Sequence, residues 1–222
     1  VPASYADDVG SITNAASTAT VTDDTTPGIY VGTGLTDTPK LYVDGTLVAA
    51  TYDSSAGTLT PTTAVSAGTS HSFSYTLTDA AGNESAQSPA LTLTIDTAAP
   101  SAATGITLTP SGGTVVANTI NGTNTALAFG ATITAGQATG GKAEFYVNGT
   151  LIGTDSTIAA GDTSVSYTTS DGTPTAAELQ AAIAAGGVVT VKLYDAAGNV
   201  VTSTGPTLVR DVVAPATPAV PA

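Results

Sequence analysis

The sequence predicts an all-β chain: two tandem seven-stranded β-sandwiches, the second with a short inserted helix. Three observations predict it. Apolar residues recur with a two-residue period, a hairpin and two loops occur twice, and Asp-Gly or Asn-Gly dipeptides separate alternating runs. In His71-Ser72-Phe73-Ser74-Tyr75-Thr76-Leu77-Thr78, one face carries His, Phe, Tyr and Leu and the other only Ser and Thr. Leu91-Thr92-Leu93-Thr94-Ile95 repeats the pattern. Further on, Val189, Val191 and Leu193 alternate with Thr190, Lys192 and Tyr194, and Phe145 and Val147 with Glu144 and Tyr146. One face in and one face wet is the signature of a sandwich strand.

Self-similarity gives the domain count. Leu41-Tyr42-Val43-Asp44-Gly45-Thr46-Leu47-Val48 recurs as Phe145-Tyr146-Val147-Asn148-Gly149-Thr150-Leu151-Ile152, each a hairpin with a positive-φ turn. Asp79-Ala80-Ala81-Gly82-Asn83 recurs intact as Asp195-Ala196-Ala197-Gly198-Asn199, and Asp96-Thr97-Ala98-Ala99-Pro100 as Asp211-Val212-Val213-Ala214-Pro215. The first sandwich is expected over 1–96, the second over 97–211, and the start of a further linker over 212–222. In the first copy seven strands are expected: A at 1–6, B at 28–34, C at 40–43, D at 46–53, E at 58–61, F at 71–78 and G at 91–95. The second copy gains about a dozen residues between its hairpin and its Asp-Ala-Ala-Gly-Asn loop. There, Thr175 and Glu178 have capping-box spacing and Leu179 and Ile183 lie one turn apart, which predicts a helix over about 175–185, ended by Gly186 and plugging an open core.

Composition then excludes function classes. Four basic residues against 17 acidic ones leave a formal charge of −13, which disfavours nucleic acid and anionic membrane surfaces as partners. Without cysteine there are no disulfides, zinc thiolates or thiol nucleophiles, and one histidine builds no imidazole cluster. No apolar run approaches membrane-spanning length, and the chain opens Val1-Pro2-Ala3, so it reads as a soluble, monomeric piece of a longer protein with no direct membrane insertion. Gly136 to Lys142 has phosphate-loop spacing, but Ala143 stands where Ser or Thr is required and a strand follows. His71 starts an apolar strand face and reads as a packed or rim histidine rather than a catalytic one. No catalysis is expected.

Four motifs carry a family resemblance: Asp7-Asp8-Val9-Gly10, Thr22-Asp23-Asp24-Thr25-Thr26-Pro27, Asp79-Ala80-Ala81-Gly82-Asn83, and Asp96-Thr97-Ala98-Ala99-Pro100. In this order they resemble the bacterial immunoglobulin-like tandem repeats of giant biofilm-associated and repeats-in-toxin surface adhesins. The second copy keeps the hairpin, the Asp-Ala-Ala-Gly-Asn loop and the linker but lacks the two acidic doublets. The resemblance implies an extracellular extender domain on the bacterial cell surface, repeated in tandem, with calcium at its junctions.

The acids support that implication independently. In a seven-stranded antiparallel sandwich, loops AB, CD and EF gather at the pole where the chain leaves and loops BC, DE and FG where it arrives. Asp7, Asp8, Asp23 and Asp24 fall between strands A and B, while Asp195 and Asn199 fall in the second copy's FG loop, and Asp96 lies on the linker. Carboxylates brought so close must be protonated or neutralised by a cation. Calcium, with 6 to 8 oxygen ligands, fits such a loop-and-linker set. By analogy Asp79 and Asn83 serve a junction before Val1, and Asp211 the next one. The alternative is that Asp, Asn and Gly only favour turns. That suffices for Asp44, Asp53, Asp155, Asp162 and Asp171, whereas two doublets exceed what a turn needs. The expected function is a calcium-rigidified spacer of an adhesin supporting adhesion and biofilm formation, whose partners are neighbouring repeats of its own chain. The alternative is a module that grips a glycan or host protein through its loops, with Tyr42, Tyr146 and Tyr194 as the aromatics to inspect.

Overall fold

The computed structural model describes residues 2–124, 126–169 and 187–218. The chain divides into two compact units, Val1–Ala99 with Asp195–Val200 and Pro100–Tyr194 with Val201–Ala222. Each is built on a two-layer β-sandwich, and among the described residues no helix is long and apolar enough to cross a membrane. The helix expected over 175–185 lies outside the described residues.

In the first unit the strands are β1 (Tyr5–Asp7), β2 (Asn14–Ser17), β3 (Val21–Thr22), β4 (Gly28–Tyr30), β5 (Thr38–Val43), β6 (Thr46–Val48), β7 (Ala50–Asp53), β8 (Thr58–Pro61), β9 (Thr69–Thr78) and β10 (Leu91–Ile95). They form two sheets, β2-β1-β4-β8-β7 and β3-β10-β9-β5-β6. Tyr5, Ile29, Leu41, Leu59, Phe73, Leu93 and Ile95 are fully buried between them. Each large side chain so buried stabilises the fold by about 1.5–3 kcal/mol. Asp44 (φ 51°) and Gly45 (φ 76°) make the two-residue turn between β5 and β6.

Strand B ends early, at Tyr30 rather than Gly34, and three further departures from the expected strands have local causes. The run 46–53 is not one strand: β6 pairs with β5, β7 pairs with β8, and the chain changes sheet at Ala49. The first strand starts at Tyr5, the residue that anchors it in the core. The stretch read as a plain loop between strands A and B holds β2 and β3; β3 pairs in parallel with β10, Thr22 opposite Ile95. That pairing pins the residue before Asp23 to the residue before Asp96.

In the second unit the strands are β11 (Thr104–Ser111), β12 (Thr119–Ile120), β13 (Ala126–Thr132), β14 (Lys142–Val147), β15 (Thr150–Asp155), β16 (Ser164–Thr168), β17 (Gly187–Tyr194) and β18 (Val200–Arg210). The sheets are β11-β13-β16 and β12-β18-β17-β14-β15. Phe145 is fully buried against Phe129, ring centroids 5.7 Å apart, among Val147, Val189, Val191, Leu193 and Leu208. Gly153 opposes Phe145 beside a register shift, and a β-carbon there would fall 2.1 Å from the Tyr167 ring, so only glycine admits that ring. Glu144, expected on the wet face, is instead buried, because Lys142 Nζ (2.6 Å), Tyr146 Oη (2.6 Å) and Tyr194 Oη (3.0 Å) all donate to it.

Candidate functional site

The acids of the first unit converge because β1 ends at Asp7 and the β3–β10 pairing sets Asp23, Asp24 and Asp96 next to it in the fold. Thr22 is the hub. Its hydroxyl donates to Asp7 Oδ2 (2.8 Å) and accepts from the Asp24 amide (3.0 Å), and its carbonyl accepts from the Asp96 amide (2.8 Å). Asp24 Oδ1 accepts from the amide (2.7 Å) and hydroxyl (3.2 Å) of Thr26. Gly10, at φ 72°, lies against Asp23: a β-carbon there would stand 1.9 Å from Asp23 Oδ2.

Two carboxylate oxygens in this cluster, Asp23 Oδ1 and Asp24 Oδ2, are buried without a hydrogen-bond partner among the described residues. A buried ionised oxygen left alone is expensive. Burial, followed by the neighbouring charges of Asp7, Asp195 and Asp24, pushes the Asp23 carboxyl up to about 6. Burial pushes Asp24 up as well; the Thr26 hydrogen bonds oppose it, and Asp8 and Asp7 add to it. Asp8 itself is exposed. The three lysines are engaged elsewhere: Lys40 pairs with Glu84, Lys142 with Glu144, and Lys192 sits over the Tyr146 ring.

The segment Asp195–Val200 belongs to the same unit. Asp195 Oδ1 accepts from the amides of Ala197 (2.9 Å), Gly198 (2.9 Å) and Asn199 (3.0 Å). The Asn199 side-chain amide donates to Asp195 Oδ2 (3.0 Å) and to the Asp96 carbonyl (2.8 Å), and the Ser11 hydroxyl donates to the Gly198 carbonyl.

The twin loop shows what the surroundings do. Asp79 takes the same bonds from Ala81, Asn83 and the Asn83 side chain (2.8–2.9 Å). There, exposed, the Asn83 hydrogen bonds hold its carboxyl below the usual range. In Asp195 burial outranks the same Asn199 bonds, Asp96 adds its charge, and the carboxyl is pushed up. One pentapeptide thus makes a self-contained turn at 79–83 and part of a charge-crowded site at 195–199.

Asp7, Asp8, Asp23, Asp24, Asp96, Asp195 and Asn199 therefore lie in one neighbourhood, while Asp79 with Asn83 stands apart as a closed turn. Asp211 donates its amide to Ile120 (2.9 Å), as Asp96 does to Thr22, and its carboxylate accepts from the Val213 amide (3.0 Å). By this register Asn121 and Gly122 occupy the places of Asp23 and Asp24. The Asn121 and Asn124 side-chain amides donate to the carbonyls of Thr114 (2.7 and 3.1 Å) and Gly112 (2.9 Å). The second copy closes this loop with amides and has no acid doublet there.

Among the described residues no three His, Cys, Asp or Glu side chains form a ready metal site. A cation at the acid cluster would also draw on carbonyl, hydroxyl, amide or water oxygens. The donor set fits such an ion: all hard oxygens, two of them buried and unpartnered, in a neighbourhood of like charge. Sequence reasoning missed Thr22 and Gly10, although the spacing of Gly10 from the first doublet and the flanking of the second by Thr22 were readable. The tyrosines marked for inspection spend their hydroxyls on acids: Tyr42 on Glu84 (2.7 Å), Tyr146 and Tyr194 on Glu144.

Residues 2–97 match the family model described as bacterial Ig-like domain. No curated protein matches the chain. A solved structure of fibronectin(III)-like modules of Clostridium thermocellum CbhA is similar to it, with 15% identity, 86% of this chain and 88% of that one covered, and a TM-score of 0.49.

Proposed function

We propose that this chain is a calcium-rigidified extender segment of a bacterial cell-surface adhesin, extracellular, non-catalytic, and supporting adhesion and biofilm formation by spacing. Its partners in this reading are calcium and neighbouring immunoglobulin-like repeats of its own chain. The observation that carries it is the pair of buried, unpartnered oxygens of Asp23 and Asp24 where, among the described residues, the charges pressing on them are those of other aspartates. The match of residues 2–97 to a bacterial Ig-like domain supports the surface setting.

Calcium supplies two positive charges and 6 to 8 coordination positions for oxygen. The residues that would hold it are Asp7, Asp23 and Asp24, with Asp8, Asp96, Asp195 and Asn199 beside them. Thr22 positions Asp7 and Asp24 by hydrogen bonding both, and Gly10 leaves the room that the Asp23 carboxylate occupies. Neutralising the cluster would fix the β1–β2 loop, β3 and the Asp96 stretch as one body. Titration calorimetry with calcium tests this: wild type binds in the range of extracellular modules, about 10⁻⁴–10⁻³ M, and Asp23→Asn with Asp24→Asn abolishes the heat. Absence of binding at millimolar calcium, or binding unchanged in that variant, overturns the assignment.

A further inference from the structure

His71 is the single histidine of the sequence and is buried at the start of the β9 core face. Both of its ring nitrogens face acceptors. Nδ1 lies 2.6 Å from Asp44 Oδ2, in the β5–β6 turn. Nε2 lies 2.9 Å from the Ser66 carbonyl, in the 62–68 loop, and 3.1 Å from the Ser66 hydroxyl. A carbonyl oxygen only accepts, and so does an ionised carboxylate. The Asp44 carboxyl is held below its usual range first by the Ser72 amide (2.8 Å) and then by His71, so it stands as a carboxylate. A neutral imidazole has one N–H and serves one such acceptor; two N–H groups serve both.

We propose that His71 is a proton-operated clasp between the β5–β6 turn and the 62–68 loop: the doubly protonated ring holds both, and loss of one proton frees one of them. Asp44 is the charged group that the ring meets. The 62–68 loop, β6, β8, β9 and β10 contain no other acid or base. The Asp44 end is the stronger, being charge-assisted and shorter, so deprotonation releases the Ser66 end. The loop is otherwise tied by the Thr62 amide (2.9 Å) and hydroxyl (3.2 Å) to the Ala49 carbonyl, by the Val65 amide to the Thr25 carbonyl (2.8 Å) and by the Gly68 amide to the Ile95 carbonyl (2.7 Å). A cavity of about 400 Å³ lined by Val48, Pro61, Val65, Ser66 and His71 borders the clasp, so its release widens that opening.

The test is ring-nitrogen NMR on the whole chain, where one histidine needs no assignment, together with hydrogen-exchange protection factors at Val65 and Gly68. The expected result is a ring with both nitrogens protonated at the acid end of its titration. Protection at the two amides then falls about tenfold as the ring loses its proton, and His71→Gln removes that step. The proposal is overturned if the ring is a neutral Nδ1–H tautomer throughout the pH range of the intact fold, with the Ser66 hydroxyl donating to Nε2. It is equally overturned if the protection step persists in His71→Gln. Should that variant not fold, Asp44→Ala decides: with the Nδ1 acceptor gone the ring serves the Ser66 carbonyl in either protonation state, so a protection step that disappears supports the clasp and one that persists refutes it.

Discussion

Replacing Asp23 by Asn tests the electrostatics of the acid cluster without changing its shape. The carboxyl is raised from 3.8 to about 6 in the folded chain by burial and by Asp7, Asp195 and Asp24. Because the folded value lies above the unfolded one, the folded state holds the proton more tightly. Stability is therefore full below about pH 4 and is lost as pH rises through about 6. A rise of roughly two units at 1.36 kcal/mol each sets a ceiling of about 3 kcal/mol. Partial solvation of the site brings this to about 2 kcal/mol. Asn removes the charge and with it the loss, so in chelator at pH 7.5 Asp23→Asn is the more stable protein. For a unit of this size the first-unit melting transition then moves up by roughly 10 °C. Circular-dichroism melts of both proteins at pH 7.5 and pH 4 measure it, and the difference shrinks toward zero at the acid end. A variant no more stable than wild type at pH 7.5, or a gain that persists at pH 4, refutes the reasoning.

Other perturbations have equally direct readouts. Gly10→Ala combines a strained φ of 72° with a clash against Asp23 Oδ2; it costs more than about 1 kcal/mol and lowers the first-unit melting temperature. Phe145→Ala empties a fully buried site against Phe129 and costs about 3–5 kcal/mol in urea unfolding of the second unit. Glu84 is held down to about 2 by Lys40, Thr76 and Tyr42. A depressed folded value means stability present above the unfolded value and lost as pH falls toward about 2. The melting-temperature deficit of Glu84→Gln, present at pH 5, therefore closes on acidification.

Much of the fold was legible because turns and alternation are local. Asp44-Gly45 and Asn148-Gly149 both adopt the left-handed conformations that the dipeptides announce, and the alternating apolar residues of β14 and β17 point inward as read. In β9 the reading holds for His71 and Phe73 only: beyond them Ser74 and Thr76 are buried, while Tyr75 and Leu77 stay half-exposed. The missed strands were those whose pairing has no local signal. Asn14-Ala15-Ala16-Ser17 is small, polar and at a sheet edge, and β3 pairs over two residues with a strand far along the chain. The change of sheet at Ala49 is equally silent, since the residues on both sides of it fit one continuous strand. Burial was the other blind spot. Asp79 and Asp195 open the same pentapeptide and have opposite displacements of their carboxyls, because burial and the approach of Asp96 are properties of the fold alone. The acid doublets were legible as a site, yet Thr22, which ties three of its members together, reads in sequence as one more threonine among many.

Small-angle scattering in calcium and then in excess chelator addresses the extender role most directly, with Asp23→Asn, Asp24→Asn as the control. In the wild type, calcium lengthens the maximum dimension and reduces flexibility, the chelator reverses both, and the variant stays in the chelated form throughout. Superimposable wild-type curves with and without calcium contradict the account.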